Sequence, residues 1–230
     1  MATSTDTPRA RARAAVTAEI KETARRQLGE LGAAGLSLRA VARELGMVSS
    51  NVYRYYESRD ALLTALIVDA FDAVGAAAEA AADEHAGGFR NRWLHVARAI
   101  RRWAHDNPHD YALVYGSPVP GYQAPADTVT PAARVSLVML RVVAAAVADG
   151  EIDPTPGPIP RPVHRDFARL RDATRLAIPD EVLARAVLVW VALFGAISYE
   201  LFGHLHGVID AYDDWFDLEM RRAADLVCGP

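Results

Sequence analysis

Apolar positions recur along this chain with a helical period. In residues 17–31, Ile20, Ala24, Leu28 and Leu31 fall on one stripe, and Gly32 and Gly35 close the segment. Ser37 stands as an N-cap before Leu38, Val41, Ala42 and Leu45, spaced i, i+3, i+4, i+7, and Gly46 ends that short helix. Ser49 or Ser50 can cap a third helix in which Val52 and Tyr56 point inward one turn apart. Ser58 caps a fourth, with Asp60 in its first turn, where the helix dipole favours an anion. That helix continues through Leu62, Leu63, Leu66 and Phe71 into an alanine-rich tract. Gly87-Gly88 marks a break. Further helices are expected over residues 89–105, 132–149, 179–206 and 210–227, with proline-rich loops over 117–131 and 150–166. Alternating β-branched runs are missing, so the pattern predicts an all-α chain.

Composition narrows the class. Of 230 residues, 51% are hydrophobic, enough for a sizeable core. The single cysteine, Cys228, excludes an internal disulfide framework and fits a reducing cytoplasm. The N-terminus lacks the apolar, cleavable pattern of a secretory signal. The most apolar run, "AVLVWVALFGAI", is shorter than the roughly 20 residues a membrane span needs. A buried helix, a soluble protein and no membrane partner are expected. Net charge is −4, which taken whole argues against nucleic acid. Its distribution does not: residues 1–60 hold ten Arg/Lys against seven Asp/Glu, a net of +3, and the remainder carries −7.

The basic front also holds the densest polar stretch, "MVSSNVYRYYESRDALL" (residues 47–63). Two short helices joined by a glycine-containing turn and preceded by a third are the parts of a helix-turn-helix unit, whose second short helix enters the major groove. Val52 and Tyr56 would anchor that helix, while Ser49, Ser50, Asn51, Tyr53, Arg54 and Tyr55 face out. Arg reads guanine, Asn reads adenine, and Tyr hydroxyls donate to phosphates. A plain solvated helix with half-packed tyrosines has the same periodicity, and periodicity alone does not choose between them.

"GLSLRAVARELGMVSSNVYRYYESRDALL" (residues 35–63) resembles the DNA-binding segment of the tetracycline-repressor (TetR) family of bacterial regulators. The resemblance rests on Gly35, Ser37, Ala42, Gly46-Met47, Tyr53, Tyr56, Ser58-Arg59 and Leu62-Leu63, and covers about residues 14–70. It implies base reading by Arg39, Ser49, Ser50 and Asn51, phosphate contacts by Tyr53, Tyr55 and Arg59, and either role for Arg54. Val48 departs from the polar residue usual at the start of the recognition helix, which would shift the cap to Ser49. Arg59 stands where lysine is common. The implied organisation is a disordered basic arm over residues 1–14, a DNA-binding domain over 15–62 and a helical regulatory and dimerisation domain over 63–230. Whether Arg9, Arg11 and Arg13 of the arm touch DNA stays open.

The same resemblance implies a homodimer on a palindromic operator, released by a small-molecule effector. The sequence supports a helix-packing seam at Leu183, Val187, Trp190, Phe194, Ile197 and Leu201, continued by Phe216 and Met220 on the last helix. Intramolecular core packing would give the same spacing. Trp93, Trp103, Tyr111, Tyr115 and Trp190 are candidates for the wall of a hydrophobic or aromatic effector site. Neither a cofactor nor a metal is implied. His105 and His109 are four apart, but Asn107-Pro108 interrupts their helix; His204 and His206, two apart, share no helical face. With no Gly-rich phosphate loop and its one cysteine near the end of the chain, an enzyme is disfavoured. A ligand-independent structural DNA binder remains the alternative.

Overall fold

The computed structural model describes residues 7–84, 87–155 and 157–229. Among them the chain is helical with no strand. The elements are α1 (Pro8–Gly35), α2 (Leu38–Glu44), α3 (Ser49–Tyr53), α4 (Arg59–Asp83), α5 (Phe89–Asp106) and α6 (Pro108–Tyr115), then a 3-10 turn (Ala126–Thr128), α7 (Val129–Ala148), α8 (Arg161–Thr174), α9 (Asp180–Leu201) and α10 (Tyr212–Cys228). They form two compact units. One holds the chain through Ala70 together with His109–Val129; the other holds Phe71–Pro108 and the chain from Thr130 onward. The division falls inside α4 and returns α6 to the N-terminal unit, so it differs from a boundary at residue 62.

In the N-terminal unit, Ile20, Ala24 and Leu28 of α1, Leu38 and Val41 of α2, Val52 of α3 and Leu62, Leu63 and Leu66 of α4 are buried together as its core. Burying each such aliphatic side chain stabilises by about 1.5–3 kcal/mol. Leu31, expected on the same stripe, is 60% exposed, because Gly32 (φ 68°, ψ 174°) leaves the helical region and ends the straight part of α1. Ion pairs tie the elements at the edge of this core. Lys21 and Arg25 of α1 reach Asp69 of α4 at 2.8 and 3.0 Å, and Arg25 lies 3.4 Å from Asp110 of α6. Arg26 and Gln27 both donate to Glu44 at the end of α2, at 2.8 and 3.0 Å.

Residues 8–14, expected as a disordered arm, are the first turns of α1. Thr7 caps them by accepting from the Ala10 amide at 3.2 Å, and Pro8 sits at the first helical position, where its missing N–H costs nothing. The first six residues of that arm lie outside the described residues.

In the second unit α10 packs on α5 and α9, and α8 lies on α9. Trp93 of α5 is buried, and its indole N–H donates to the Met220 carbonyl of α10 at 2.9 Å. Arg101 grips Glu200 of α9 with two hydrogen bonds (2.8 and 2.7 Å) while its guanidinium covers the Phe216 ring. Arg134 of α7 joins Asp72 and Glu79 of α4. Helix α8 begins inside what the prolines mark as a loop; Pro160 and Pro162 occupy its cap and first turn, positions where proline favours a helix.

Three stretches, α4, α7 with the turn before it, and α9, are long and apolar enough to cross a membrane by length and composition (mean hydropathy 1.8, 1.7 and 1.9). Each exceeds the one uninterrupted apolar run in the sequence because a helix tolerates an occasional charge. Here the buried faces of these helices build the two cores, and α4 and α7 carry the partly exposed ion pairs of Arg134 with Asp72 and Glu79.

Candidate nucleic-acid interface

The turn between α2 and α3 is closed by backbone bonds. The Gly46 amide donates to Arg43 (3.2 Å) and the Met47 amide to Ala42 (2.9 Å), the paired pattern that ends a helix on a left-handed residue. Gly46 supplies that residue at φ 64°. The turn fixes α3 against α2, and fully buried Val52 with half-buried Tyr56 holds it from beneath. Desolvation raises the Tyr56 phenol above its ordinary range.

Above this anchor, Ser50, Asn51, Tyr53 and Arg54 are exposed, Ser49 and Tyr55 are half-buried, and Arg39 is exposed on α2. All the predicted base-reading and phosphate residues except Arg59 are thus brought to the α2–α3 surface as exposed or half-buried groups. Tyr55 is stacked under the Arg13 guanidinium, 4.8 Å from the ring centroid, so the first turns of α1 join this surface. Sequence reasoning treated Arg13 as part of a loose arm; the Thr7-Pro8 start signal was the cue that it is helical.

One assignment changes. The N-cap of α3 is Val48 (φ −71°, ψ 139°) and not Ser49, and its side chain makes no capping bond. Backbone geometry alone carries that cap, with the Asn51 amide donating to the Val48 carbonyl at 2.9 Å. Arg59, expected on a phosphate, donates to the Ala33 carbonyl at 2.6 Å and to Asp60 at 3.0 Å. Its guanidinium braces the end of α1 against the start of α4. The Ser58 cap is as expected, accepting from the Ala61 amide at 3.0 Å.

Residues 20–66 match the model for bacterial regulatory proteins of the tetR family, and residues 93–223 match the tetracyclin repressor-like C-terminal domain. The chain belongs to the TetR family. The HTH-type transcriptional regulators Rv1816 of Mycobacterium tuberculosis and Mb1846 of Mycobacterium bovis are each 46% identical to it over 194 residues, covering 84% of this chain and 83% of theirs. The crystal structure of the candidate regulatory protein SCO4313 aligns with TM-score 0.77 and 35% identity, over 97% of this chain and 100% of that one. The protein is therefore a TetR-family transcription regulator with DNA as its partner, not an enzyme.

Two of the five aromatic residues suggested for an effector site, Trp93 and Trp190, line one cavity of about 210 Å³ with Ser136, Met139, Leu140, Val143, Leu170 and Val187. Trp103 is half-buried on α5 and lines no part of it. Tyr111 and Tyr115 lie in the N-terminal unit, their rings tilted against each other with centroids 5.1 Å apart, with Tyr111 fully buried and burial pushing the Tyr115 phenol above its usual range. Tyr111 is a core residue of that unit, and Tyr115 is half-buried beside it.

The single chain encloses part of the predicted helix-packing seam. Leu183, Ile197, Phe216 and Met220 are buried within the single chain, and Val187, Phe194 and Leu201 are half-buried. Of the seam only Trp190 is exposed; another exposed apolar stripe runs through Leu188, Val191 and Tyr199 of α9 to Phe202 at its C-cap, with Leu218 and Leu226 on α10. Helix α9 is apolar on more than one face, so spacing alone cannot say which stripe its own α5 and α10 cover.

Proposed function

We propose that the protein is a ligand-responsive repressor that acts as a homodimer on a near-palindromic operator and is released by a small, uncharged, hydrophobic or aromatic effector. It would act in the cytoplasm. The observation that carries this reading is the uncovered α9–α10 face. Leu188, Ala192, Gly195 and Tyr199 recur at intervals of four and three beside Trp215, Arg222 and Leu226, around an open groove of about 440 Å³. Contiguous exposed apolar surface of this kind marks an interaction site. Space is open at Gly195, where an added Cβ meets nothing within 4 Å, so a second copy of the helix can approach closely. A twofold dimer presents two recognition helices to half-sites about 34–36 Å apart, which demands a palindrome.

The effector class follows from the Trp93–Trp190 cavity. Its lining residues include no charged side chain, and the one hydroxyl, that of Ser136, already donates its proton to the Ala133 carbonyl at 2.9 Å. A charged molecule there would lose its hydration without a partner. An effector that prefers the non-binding arrangement shifts the equilibrium only by that preference, about 1–3 kcal/mol for typical coupling.

Selection of bound fragments from random duplex DNA tests the first half. Screening neutral aromatic compounds for release of the selected duplex, with Trp190 fluorescence as a binding signal, tests the second. A palindromic site occupied by two chains and freed by a compound that quenches Trp190 supports the proposal. Broad binding without a preferred site would favour a structural DNA binder instead.

A further inference from the structure

The polar reading set leaves Val48 without a use. Its side chain joins neither the core nor a cap: it is 65% exposed and makes no capping bond, although a Ser, Thr, Asp or Asn there would satisfy an amide. Its neighbours on either side in α2 and α3, Val41 and Val52, are fully buried, while Val129 elsewhere in the unit is as exposed as Val48. A lone exposed apolar side chain is ordinary on a protein surface. Val48 differs in its surroundings, since it leads directly into Ser49, Ser50 and Asn51, the segment proposed to read base edges, and is more exposed than Tyr53 at 45%.

Base edges in the major groove are polar donors and acceptors with one apolar exception, the C5-methyl group of thymine. Apolar side chains meet that methyl favourably, and residues at the leading end of a recognition helix are those that contact bases. We infer that Val48 packs its isopropyl group against the C5-methyl of a pyrimidine, thymine in unmodified DNA, and so specifies one T·A pair in each half-site. The inference rests on the DNA-reading role of α3 proposed above and adds a determinant that polar pairing does not supply. The same methyl is offered by 5-methylcytosine, so the chemistry recognised is the methyl and the two sources are separable.

The test uses the full-length protein and the duplex it selects from random DNA. Each thymine of one half-site is exchanged in turn for deoxyuridine, which removes only the methyl, and binding is measured by fluorescence anisotropy. One exchange should weaken the wild type about fourfold, the effect of one buried methyl-sized group. At that position 5-methylcytosine should bind about fourfold better than cytosine, for the same reason. Both methyl effects should vanish in Val48→Ala and in Val48→Ser, and Val48→Ser, which restores a capping hydroxyl, should melt no lower than the wild type. A wild type indifferent to every uracil exchange, or a methyl effect that persists in Val48→Ala, overturns the inference while the selected duplex keeps the DNA-reading role intact. Failure to select any duplex sinks both.

Discussion

Arg39 and Tyr53 both face solvent on the DNA-reading elements, yet their substitution should separate two kinds of contact. A base-edge contact carries sequence information and a phosphate contact does not. Arg39→Ala is expected to relax preference at one base pair, costing about 1–3 kcal/mol on the matched site. Tyr53→Phe should weaken binding to matched and mismatched duplexes alike. Repeating the duplex selection with each variant checks this, and an unchanged set of selected sites for Arg39→Ala would remove it from the reading set. Most of this surface was legible in the sequence, because the outward positions of a short helix follow from its apolar anchors, Val52 and Tyr56. What spacing could not supply was the partner each polar group takes inside the fold. Arg59 reads as a free cation in sequence but finds the Ala33 carbonyl, 26 residues away. Val48 reads as a misplaced residue, yet it holds the cap through its backbone alone.

At the scale of elements, the turn that aims α3 depends on one left-handed residue. An added Cβ at Gly46 meets nothing within 4 Å, so Gly46→Ala introduces only the conformational penalty of φ 64°, about 1–2 kcal/mol. Urea unfolding should register that loss, together with weaker DNA binding; an unchanged midpoint would mean the turn relaxes at no cost.

The second unit has an acid-sensitive edge. A hydrogen bond from Arg98 holds the Asp217 carboxyl below the usual carboxylate range, and one from Arg134 does the same for Glu79. A depressed folded pKa stabilises above the unfolded value of about 4, and the gain is lost as pH falls through the folded value. Thermal stability should therefore drop on acidification below about pH 4. Arg98→Gln should melt slightly lower near neutrality and show a shallower acid limb; each such exposed pair is worth at most about 1 kcal/mol. Melting curves across pH that run parallel for the two proteins would show Asp217 to be uncoupled.

Helices with glycine ends and clean stripes were readable, but α6 and α8 were not. Their prolines announce loops to a sequence reader although they occupy first-turn positions where proline is at home.

For the whole molecule, the sequence specifies a helical body and an apolar α9 but leaves open which of its stripes stays in the chain's own core. That choice is made by tertiary packing. With Leu183 and Ile197 buried within the chain, the stripe through Leu188 and Tyr199 is left exposed. The division into units was equally hidden, because no local signal in α4 marks Ala70 and none assigns α6 to the head.

The central claim is that two heads, joined through the α9–α10 face, grip one duplex together. It is tested most directly by light scattering of the protein alone and with its selected duplex, for the wild type and Leu188→Glu. The wild type should be a dimer that binds one duplex with two chains, and Leu188→Glu should be a folded monomer that binds that duplex far more weakly. A wild-type chain that is monomeric with its helices intact, and binds no duplex in dilute salt, would contradict the account.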